Sequence, residues 1–281
     1  MSLKIEYPSE IKPHWKEDQT NDDYHADKTA VSSTSLKRIL KSPKSFYSSF
    51  TEPNKQTKAM QFGSAVHAAI LEPDSFRKRY VKAKRFTGVG AVAAQAEWRL
   101  SLPTDAIIMS DEEYEQLEEM LFSVLGHPDA CNILKNGIAE RSGYFVDPET
   151  QIKCKIKPDF YHPGLNALLD VKTTQSIEKD EFSKSIWNYR YDFQMAMYCL
   201  GIEIITGNKV EFPLFLAIEK NPPYECGVYM ADSLMLHKGL EDYKRAMFLL
   251  KENLISGEWS PYQKRNELIS LPAWALKEFA Q

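Results

Sequence analysis

The sequence predicts a single domain of the α/β class. Two observations support this fold class. Helical periodicity dominates the N-terminal half and the C-terminal end, whereas the middle of the chain alternates short β-prone runs with turn residues. Helices followed by strands and then by helices again are typical of a sheet with helices packed on it. At 281 residues the chain can form one such domain with a substantial core.

The N-terminal half reads as an arm followed by helices. Residues 1–30 lack clear periodicity, so we expect an extended or partly ordered arm, with one domain over residues 31–281. Serines of the kind that cap helices begin the first helical pattern, and prolines interrupt or end the patterns. Helices are predicted over 32–50 with an interruption at Pro43, over 60–71, in the alanine-rich part of 87–102, over 111–125 and over 129–135.

The middle of the chain changes to strand-like runs separated by turns. The turn residues are Asp147-Pro148-Glu149-Thr150 and His162-Pro163-Gly164, and their tight spacing predicts an antiparallel meander. A helix, two further strands and a long amphipathic helix should follow. The predicted strands are 141–146, 151–160, 166–173, 210–219 and 225–230, and the predicted helices are 180–205 and 232–256.

Composition indicates a globular protein without a membrane span. The hydrophobic fraction is 43% and the charged fraction 26%, and no apolar run approaches the roughly 20 residues that a membrane helix needs. Four scattered cysteines contain no Cys-x-x-Cys pair, which argues against a zinc site or an iron–sulfur cluster. Together with the absence of a signal-peptide core, this pattern predicts a reducing cytoplasm.

The charge balance limits how nucleic acid could be bound. The formal net charge is −4 and the pI about 5.9, so bulk charge does not favour nucleic acid, although a local basic groove is compatible with it. Two locally basic segments are either solvated faces or parts of such a groove. They contain Lys37, Arg38, Lys41 and Lys44 in one case, and Arg77, Lys78, Arg79, Lys82, Lys84 and Arg85 in the other.

Two carboxylates and a lysine form the strongest chemical signal. Asp159 ends Lys157-Pro158-Asp159, and Asp170 precedes Lys172 by two residues. Residues i and i+2 of a strand share a face, so Asp170 and Lys172 should lie together, and pairing of the preceding strand would bring Asp159 beside them. Two carboxylates suit a hard divalent cation, and an ammonium can orient water or help to deprotonate it. The alternative is a surface strand with a salt bridge, but Asp170 follows a run that should be buried.

Further candidates are individually weak. His67 lies among small residues on a predicted helix, where an ordinary core histidine is the alternative. Glu140 precedes the first strand of the meander and alone reads as a surface charge. Gln194 and Tyr198 form an i, i+4 pair on one helix face, which alone reads as a surface pair.

The order of these residues along the chain resembles the PD-(D/E)XK nuclease superfamily. The order is His, Glu, Asp, Asp-x-Lys and Gln-x-x-x-Tyr, and it resembles the RecB-like branch, in particular RecE-type exonucleases such as exodeoxyribonuclease VIII. The similarity spans roughly residues 30 to 255. The segments that carry it are Ser35-Leu36-Lys37 through Ser42-Pro43, Gln61-Phe62-Gly63 through His67, Lys157-Pro158-Asp159, Leu169 through Thr174, and Asn188 through Tyr198.

The resemblance implies a restriction-endonuclease-like α/β fold, with a mixed central sheet flanked by helices, and a role for each residue. His67, Asp159, Asp170 and the carbonyl of Val171 would ligate Mg²⁺ or Mn²⁺. Lys172 would position or activate water. Gln194 and Tyr198 would hold the substrate or the site, and Glu140 is a further catalytic candidate. Beside them, the basic segments and Trp187 through Tyr191 become candidate DNA contacts.

The resemblance also implies an activity, partners and a location in the cytoplasm of a bacterial or phage-infected cell. The expected activity is a Mg²⁺-dependent exonuclease that degrades linear double-stranded DNA, 5′ to 3′, and leaves single-stranded tails for recombination. Relatives form rings around DNA and work with a RecT-like single-strand annealing protein. The alternatives are an endonuclease of the same superfamily and a non-catalytic DNA-binding scaffold.

Overall fold

The computed structural model describes residues 3–52, 57–263 and 265–272. Helices begin where the sequence offers caps. Ser110 and Glu113 form a capping box, and the Ser42 side chain accepts a hydrogen bond from the backbone of Ser45 (3.1 Å). The described helices are α1 (Asn21–Ala26), α2 (Ser33–Ile39), α3 (Pro43–Thr51), α4 (Lys58–Leu71), α5 (Pro73–Arg79), α6 (Ala91–Ser101), α7 (Asp111–Gly126), α8 (Pro128–Ile133), α9 (Lys179–Tyr189), α10 (Tyr191–Thr206) and α11 (Ser233–Ser256).

A five-stranded mixed sheet forms the centre of the fold. Its strand order is β10-β9-β8-β7-β4, in which β8 and β9 are parallel and the other neighbours antiparallel. This sheet with its flanking helices confirms the predicted fold class. The described strands are β1 (His14–Lys16), β2 (Tyr80–Lys82), β3 (Ile107–Met109), β4 (Ile138–Ala139), β5 (Ser142–Val146), β6 (Lys153–Ile156), β7 (Phe160–His162), β8 (Ala167–Thr174), β9 (Phe212–Glu219) and β10 (Cys226–Met230).

The predicted meander was wrong in one respect, because the run 151–160 is two strands in two different sheets. β6 pairs with β5 in a three-stranded sheet of order β1-β5-β6, whereas β7 joins the central sheet. The break falls at Lys157-Pro158-Asp159. Proline has no backbone N–H to donate to a ladder, so the strand ends there and the chain changes sheet.

The predicted helix 180–205 is likewise two helices, α9 and α10, separated at Arg190. Arg190 has a left-handed backbone (φ 56°), which non-glycine residues rarely adopt. Its guanidinium donates two hydrogen bonds of 3.1 Å to Asp192 and also pairs with Asp242 of α11. These buried carboxylates hold the bend, and α9 and α10 together form the crossover between the parallel strands β8 and β9.

The sheet separates two apolar clusters, as strand alternation requires. Leu168 and Phe215 face one cluster with α2, α10 and α11, whereas Leu169 and Leu216 face the other with α4 and α7. All four side chains are fully buried. Strand β8 is therefore covered on both faces, and any charged side chain on it lies within the protein.

Short elements were not predicted from the sequence. β1, α1, α5, β2, β3 and β4 each have seven residues or fewer, too few for a period to show. Two of them lie within residues 1–30, the segment expected to be an arm: β1 pairs with β5, and Tyr24 of α1 is buried. Lys155 donates hydrogen bonds to the carbonyls of Tyr24 and Asp27, which joins α1 to β6.

None of the helices in the described part of the chain is both long and apolar enough to cross a membrane. The four cysteines are free thiols.

Two helical glycines provide a matched test of the packing of α11 against α10. A Cβ at Gly239 of α11 would lie 2.3 Å from the carbonyl oxygen of Asp192, whereas a Cβ at Gly63 of α4 would meet no atom within 4 Å. We expect Gly239→Ala to lower the free energy of unfolding by about 1–3 kcal/mol through overpacking. Gly63→Ala should raise it by about 0.5–1 kcal/mol. Urea unfolding measures both, and equal effects of the two substitutions would contradict the close approach of α10 and α11.

Candidate metal centre

The candidate site lies where β4, β7 and β8 meet α4 and α10. The backbone N–H of Glu140, just after β4, donates to the carbonyl of Asp159, just before β7 (3.0 Å). In the next ladder Phe160 pairs with Leu169, so the register places Asp159 beside Asp170. The predicted pairing of neighbouring strands that brings the two aspartates together is therefore present. The strand that pairs with β8 is the short β7 and not the whole predicted strand 151–160.

His67, Glu140 and Asp159 form a cluster with the chemistry of a cation site. Nδ1 of His67 lies 3.6 Å from Oδ2 of Asp159 and 3.9 Å from Oε1 of Glu140. Each residue contributes one potential ligand atom, and these three atoms all lie within 4.8 Å of one another. Two carboxylates and an imidazole fit a divalent cation such as Mn²⁺ or Mg²⁺. The structure therefore places His67 beside two carboxylates and not in the purely apolar surroundings of an ordinary core histidine.

Asp170 and Lys172 form a buried ion pair next to this cluster. Asp170 is fully buried, and the Nζ of Lys172 lies 2.6 Å from its Oδ2 and 3.9 Å from Oδ2 of Asp159. The Lys172 ammonium is the charge partner of Oδ2 of Asp170, which has no further hydrogen-bond partner among the described residues. A carboxylate buried in this way needs a cationic partner, and Lys172 supplies it.

The arrangement differs from the ligand set that the resemblance implies. Glu140 is in the three-residue group, and Asp170 is not. The backbone of Val171 takes part through its N–H, which donates to Oδ2 of Asp159 (2.7 Å), while its carbonyl accepts from Lys172 (3.3 Å). Roles for Asp170 and Val171 as ligands stay predictions.

Neighbouring charges set the protonation of the cluster. Burial opposes the charge of His67, but the carboxylates of Asp159 and Glu140 outweigh it and raise the pKa of the imidazole. Burial alone would raise the pKa of Glu140, yet His67 and Lys157, 3.2 Å away, lower it below its usual value. Burial opposes the charge of Lys172, whose side chain is 12% exposed, but Asp170 and Asp159 raise its pKa, so it remains an ammonium at neutral pH.

Gln194 and Tyr198 of α10 support Asp170 rather than join the cluster. The amide nitrogen of Gln194 donates to Oδ1 of Asp170 (3.1 Å) and to the hydroxyl of Tyr198 (3.3 Å). The Gln194 oxygen accepts from Lys37 of α2 (3.2 Å). Burial first, and then the nearby Lys172 ammonium, lower the pKa of Lys37 to about 8.

The sequence placed Lys37 in a basic segment and in one of the segments that carry the resemblance, but it did not predict the contact of Lys37 with Gln194. The available signal was the spacing within Ser35-Leu36-Lys37, which places Leu36 in the core and leaves its neighbour at the helix edge.

The second basic segment is less suited to DNA than its composition indicates. Four of its six cations pair with carboxylates, so much of its charge is balanced locally. The pairs are Arg77–Asp74, Arg79–Asp105, Lys82–Glu115 and Arg85–Asp111. A role for this segment in DNA binding stays a prediction.

Comparison with known proteins agrees with this architecture. The family model described as a PDDEXK-like domain of unknown function (DUF3799) matches residues 32–269. A solved structure from Eubacterium rectale, provisionally named an exonuclease, has 16% identity and a TM-score of 0.63, covering 94% of this chain and 99% of that one. This likeness shows the fold, and with the family match it confirms the PD-(D/E)XK fold.

A more distant structure is similar to a lesser degree. The phage-related exonuclease from Haemophilus somnus 129PT has 14% identity and a TM-score of 0.33, covering 82% of this chain and 96% of that one, which is too distant to support an argument. None of the curated proteins compared with the chain matches it. The RecE-type branch therefore stays a prediction.

Protonation of His67 should stabilise the folded protein when no cation is bound. Because its pKa is raised in the folded state, its contribution to the free energy of unfolding is fully present below the unfolded value of about 6.5 and is lost as pH rises through the folded pKa. We therefore expect cation-free protein to lose this stabilisation at alkaline pH, and His67→Gln to lack that part of the profile. Unfolding midpoints between pH 5 and 9, in chelator, measure the difference.

The same protonation should weaken cation binding as pH falls through the folded pKa, since the ligand is the neutral imidazole. Calorimetric titration with Mn²⁺ measures this weakening, and the His67→Gln variant is its control. Identical pH profiles of stability and Mn²⁺ affinity in the two proteins would contradict the assignment of His67 to the cluster.

Proposed function

The chain belongs to the PDDEXK-like family DUF3799, and from this premise we propose that it is a divalent-cation-dependent nuclease acting on DNA. The observation that carries the proposal is the convergence of His67, Glu140 and Asp159 on one point, with the Lys172 ammonium 3.9 Å from Asp159. Clusters of titratable side chains that converge in this way are typical of catalytic sites.

His67, Glu140 and Asp159 would hold Mg²⁺ or Mn²⁺, with Asp170 and the Val171 carbonyl as further candidate ligands. When bound, the cation would supply Lewis acidity toward the phosphate and toward an attacking water. In the cation-free protein Asp170 and Asp159 raise the pKa of Lys172, so this residue is an ammonium at neutral pH. Its role in the proposal is therefore to orient water or to stabilise negative charge that develops on the phosphate.

Gln194, Tyr198 and Lys37 would keep this arrangement rigid. Gln194 donates to Asp170 while it accepts from Lys37, so its amide has one favourable orientation. Asp170 in turn fixes Lys172 through the 2.6 Å ion pair. A catalytic group held from two sides loses little freedom when the substrate binds.

The finer proposal is an exonuclease that degrades linear duplex DNA, 5′ to 3′, and leaves single-stranded tails for recombination by annealing. Its support is the ordered resemblance to RecE-type exonucleases and the net charge of −4, which requires a local passage for DNA. A ring-shaped homo-oligomer and a RecT-like annealing partner belong to this proposal. An endonuclease of the same superfamily is the alternative, and the buried cation-ligand chemistry argues against a pure scaffold.

Linear and covalently closed duplexes of the same sequence test the proposal. With Mg²⁺ or Mn²⁺ we expect progressive loss of the linear form and survival of the closed form, because a passage that is threaded from an end cannot admit a closed circle. Cleavage should fall steeply with salt as phosphate contacts release counterions.

The control for this assay is Asp159→Asn, which removes a ligand charge and keeps the shape. We expect it to abolish cleavage, as should a chelator. Rapid cutting of closed circles would overturn the exonuclease hypothesis in favour of the alternative, an endonuclease of the same superfamily. Full activity of Asp159→Asn would overturn the proposed metal centre.

Lys172→Met tests the role of the ammonium. We expect a loss of at least ~100-fold in cleavage rate with DNA and cation binding retained, since the side chain acts on the reaction and not on affinity. The variant leaves Asp170 buried without its cation, so folding must be verified, and Lys172→Arg keeps the charge as a second variant. The matched control is Lys184→Met on α9, an exposed lysine paired with Glu181 (2.7 Å). Weaker DNA binding with normal turnover of bound DNA would reduce Lys172 to a phosphate contact.

A further inference from the structure

We propose that the stacked side chains of Tyr189 and Tyr191, beside Lys172, form a binding site for an unpaired nucleobase of the strand that is cut. The inference rests on the proposed nuclease function and adds a base-stacking site to it. Nothing in the metal cluster itself requires these two rings, because its contacts are made by other side chains.

The two rings are placed together by the bend at Arg190. Consecutive helical positions point in different directions, and residues two apart do not normally face each other on a helix. Here the left-handed residue between α9 and α10 lets Tyr189 and Tyr191 stack, with ring centroids 5.6 Å apart and planes 23° from parallel. A left-handed backbone is unfavourable for a non-glycine residue and persists where the surroundings hold it. Asp192 and Asp242 supply that hold.

Tyr189 presents its ring to solvent. Its side chain is 64% exposed, while Tyr191 beneath it is half-buried. A half-buried ring under an exposed one gives a rigid aromatic surface with few rotatable bonds, the property that stacking sites for bases share. Trp187, two residues earlier, is also exposed, but the Arg190 guanidinium and the Lys238 ammonium lie within 6 Å of the centroid of its ring. Tyr189 is therefore the more accessible of the two aromatic surfaces.

The ring pair is directly connected to the reactive centre. The Nζ of Lys172 lies 5.0 Å from the centroid of Tyr191 and also contacts Asp170. The Nζ of Lys37 lies 5.9 Å from the same centroid and donates to the backbone carbonyl of Tyr189 (3.3 Å). A strand whose phosphate lies at Lys172 would thus have an aromatic surface within reach of a neighbouring base, flanked by two cations.

The chemistry selects a base that is not paired. A base within a duplex is already stacked on both faces, so a single exposed ring offers it no new contact. An unpaired base gains about 1–3 kcal/mol from stacking on an aromatic side chain, and the contact tolerates every base because each has a π-face. The site should accordingly show little sequence preference and should favour single-stranded or frayed ends over blunt duplex.

Fluorescent oligonucleotides test this site. Single strands and duplexes with single-stranded ends carry 2-aminopurine at successive terminal positions, and binding is measured with Ca²⁺ in place of Mg²⁺. We expect quenching at one or two positions with the wild-type protein and with Tyr189→Phe, which keeps the ring. Tyr189→Ala should restore the fluorescence and weaken single-strand binding about 5- to 150-fold. Phe122→Ala, which removes a ring that is 75% exposed on α7, is the matched control and should behave as the wild type.

The cleavage assay separates failure of this inference from failure of the proposed function. If the wild-type protein cleaves DNA with Mg²⁺ while Tyr189→Ala quenches and binds as the wild type does, the stacking site is overturned and the nuclease stands. If the wild-type protein neither binds nor cleaves any DNA, both are overturned. If it quenches 2-aminopurine through Tyr189 but cleaves nothing, the base site stands and the nuclease function fails. An effect of Phe122→Ala equal to that of Tyr189→Ala would overturn the site as a local feature.

Discussion

The buried ion pair between Lys172 and Asp170 is the interaction on which the rest of the site depends. β8 is covered on both faces, and a charge placed on such a strand costs several kcal/mol unless it is paired and hydrogen-bonded. Lys172, two residues later, reaches Asp170 because alternate residues of a strand share a face. One carboxylate oxygen is then satisfied by Gln194, and α10 must be positioned to supply that amide. The requirement for a partner therefore extends from the strand to the helix that crosses over it.

The bend at Arg190 is the means by which the crossover meets this requirement. A single helix over residues 179–206 would have one continuous axis, whereas the left-handed Arg190 gives α10 its own direction over the sheet. Asp192 and Asp242 hold the guanidinium, and the absence of a side chain at Gly239 lets α11 approach the backbone of Asp192 closely. The same local conformation stacks Tyr189 on Tyr191. One bend thus positions both a buried polar group and an exposed aromatic surface.

The pKa of Lys172 is raised and that of Lys37 is lowered, because the two lysines have different neighbours. Lys172 lies against the carboxylates of Asp170 and Asp159, which raise its pKa in spite of burial. Lys37 contacts a neutral amide and a carbonyl, so burial and the neighbouring Lys172 charge lower its pKa to about 8. In the cluster itself, His67 and Lys157 balance the carboxylates when no cation is bound. Binding of a divalent cation would replace that balance, which couples the site to pH.

The sequence by itself determined the features that depend on near neighbours. The shared face of Asp170 and Lys172 follows from strand geometry, the long helices α7 and α11 from their periodicity, and the mixed α/β architecture from the order of the elements. Only the tertiary structure decided the features that depend on pairing between distant segments. It separated β6 from β7 at Pro158, brought Glu140 and not Asp170 into the group with His67, and placed Lys37 against Gln194. Strand register and helix crossing fix such contacts between residues far apart in the chain, and no local pattern encodes either of them.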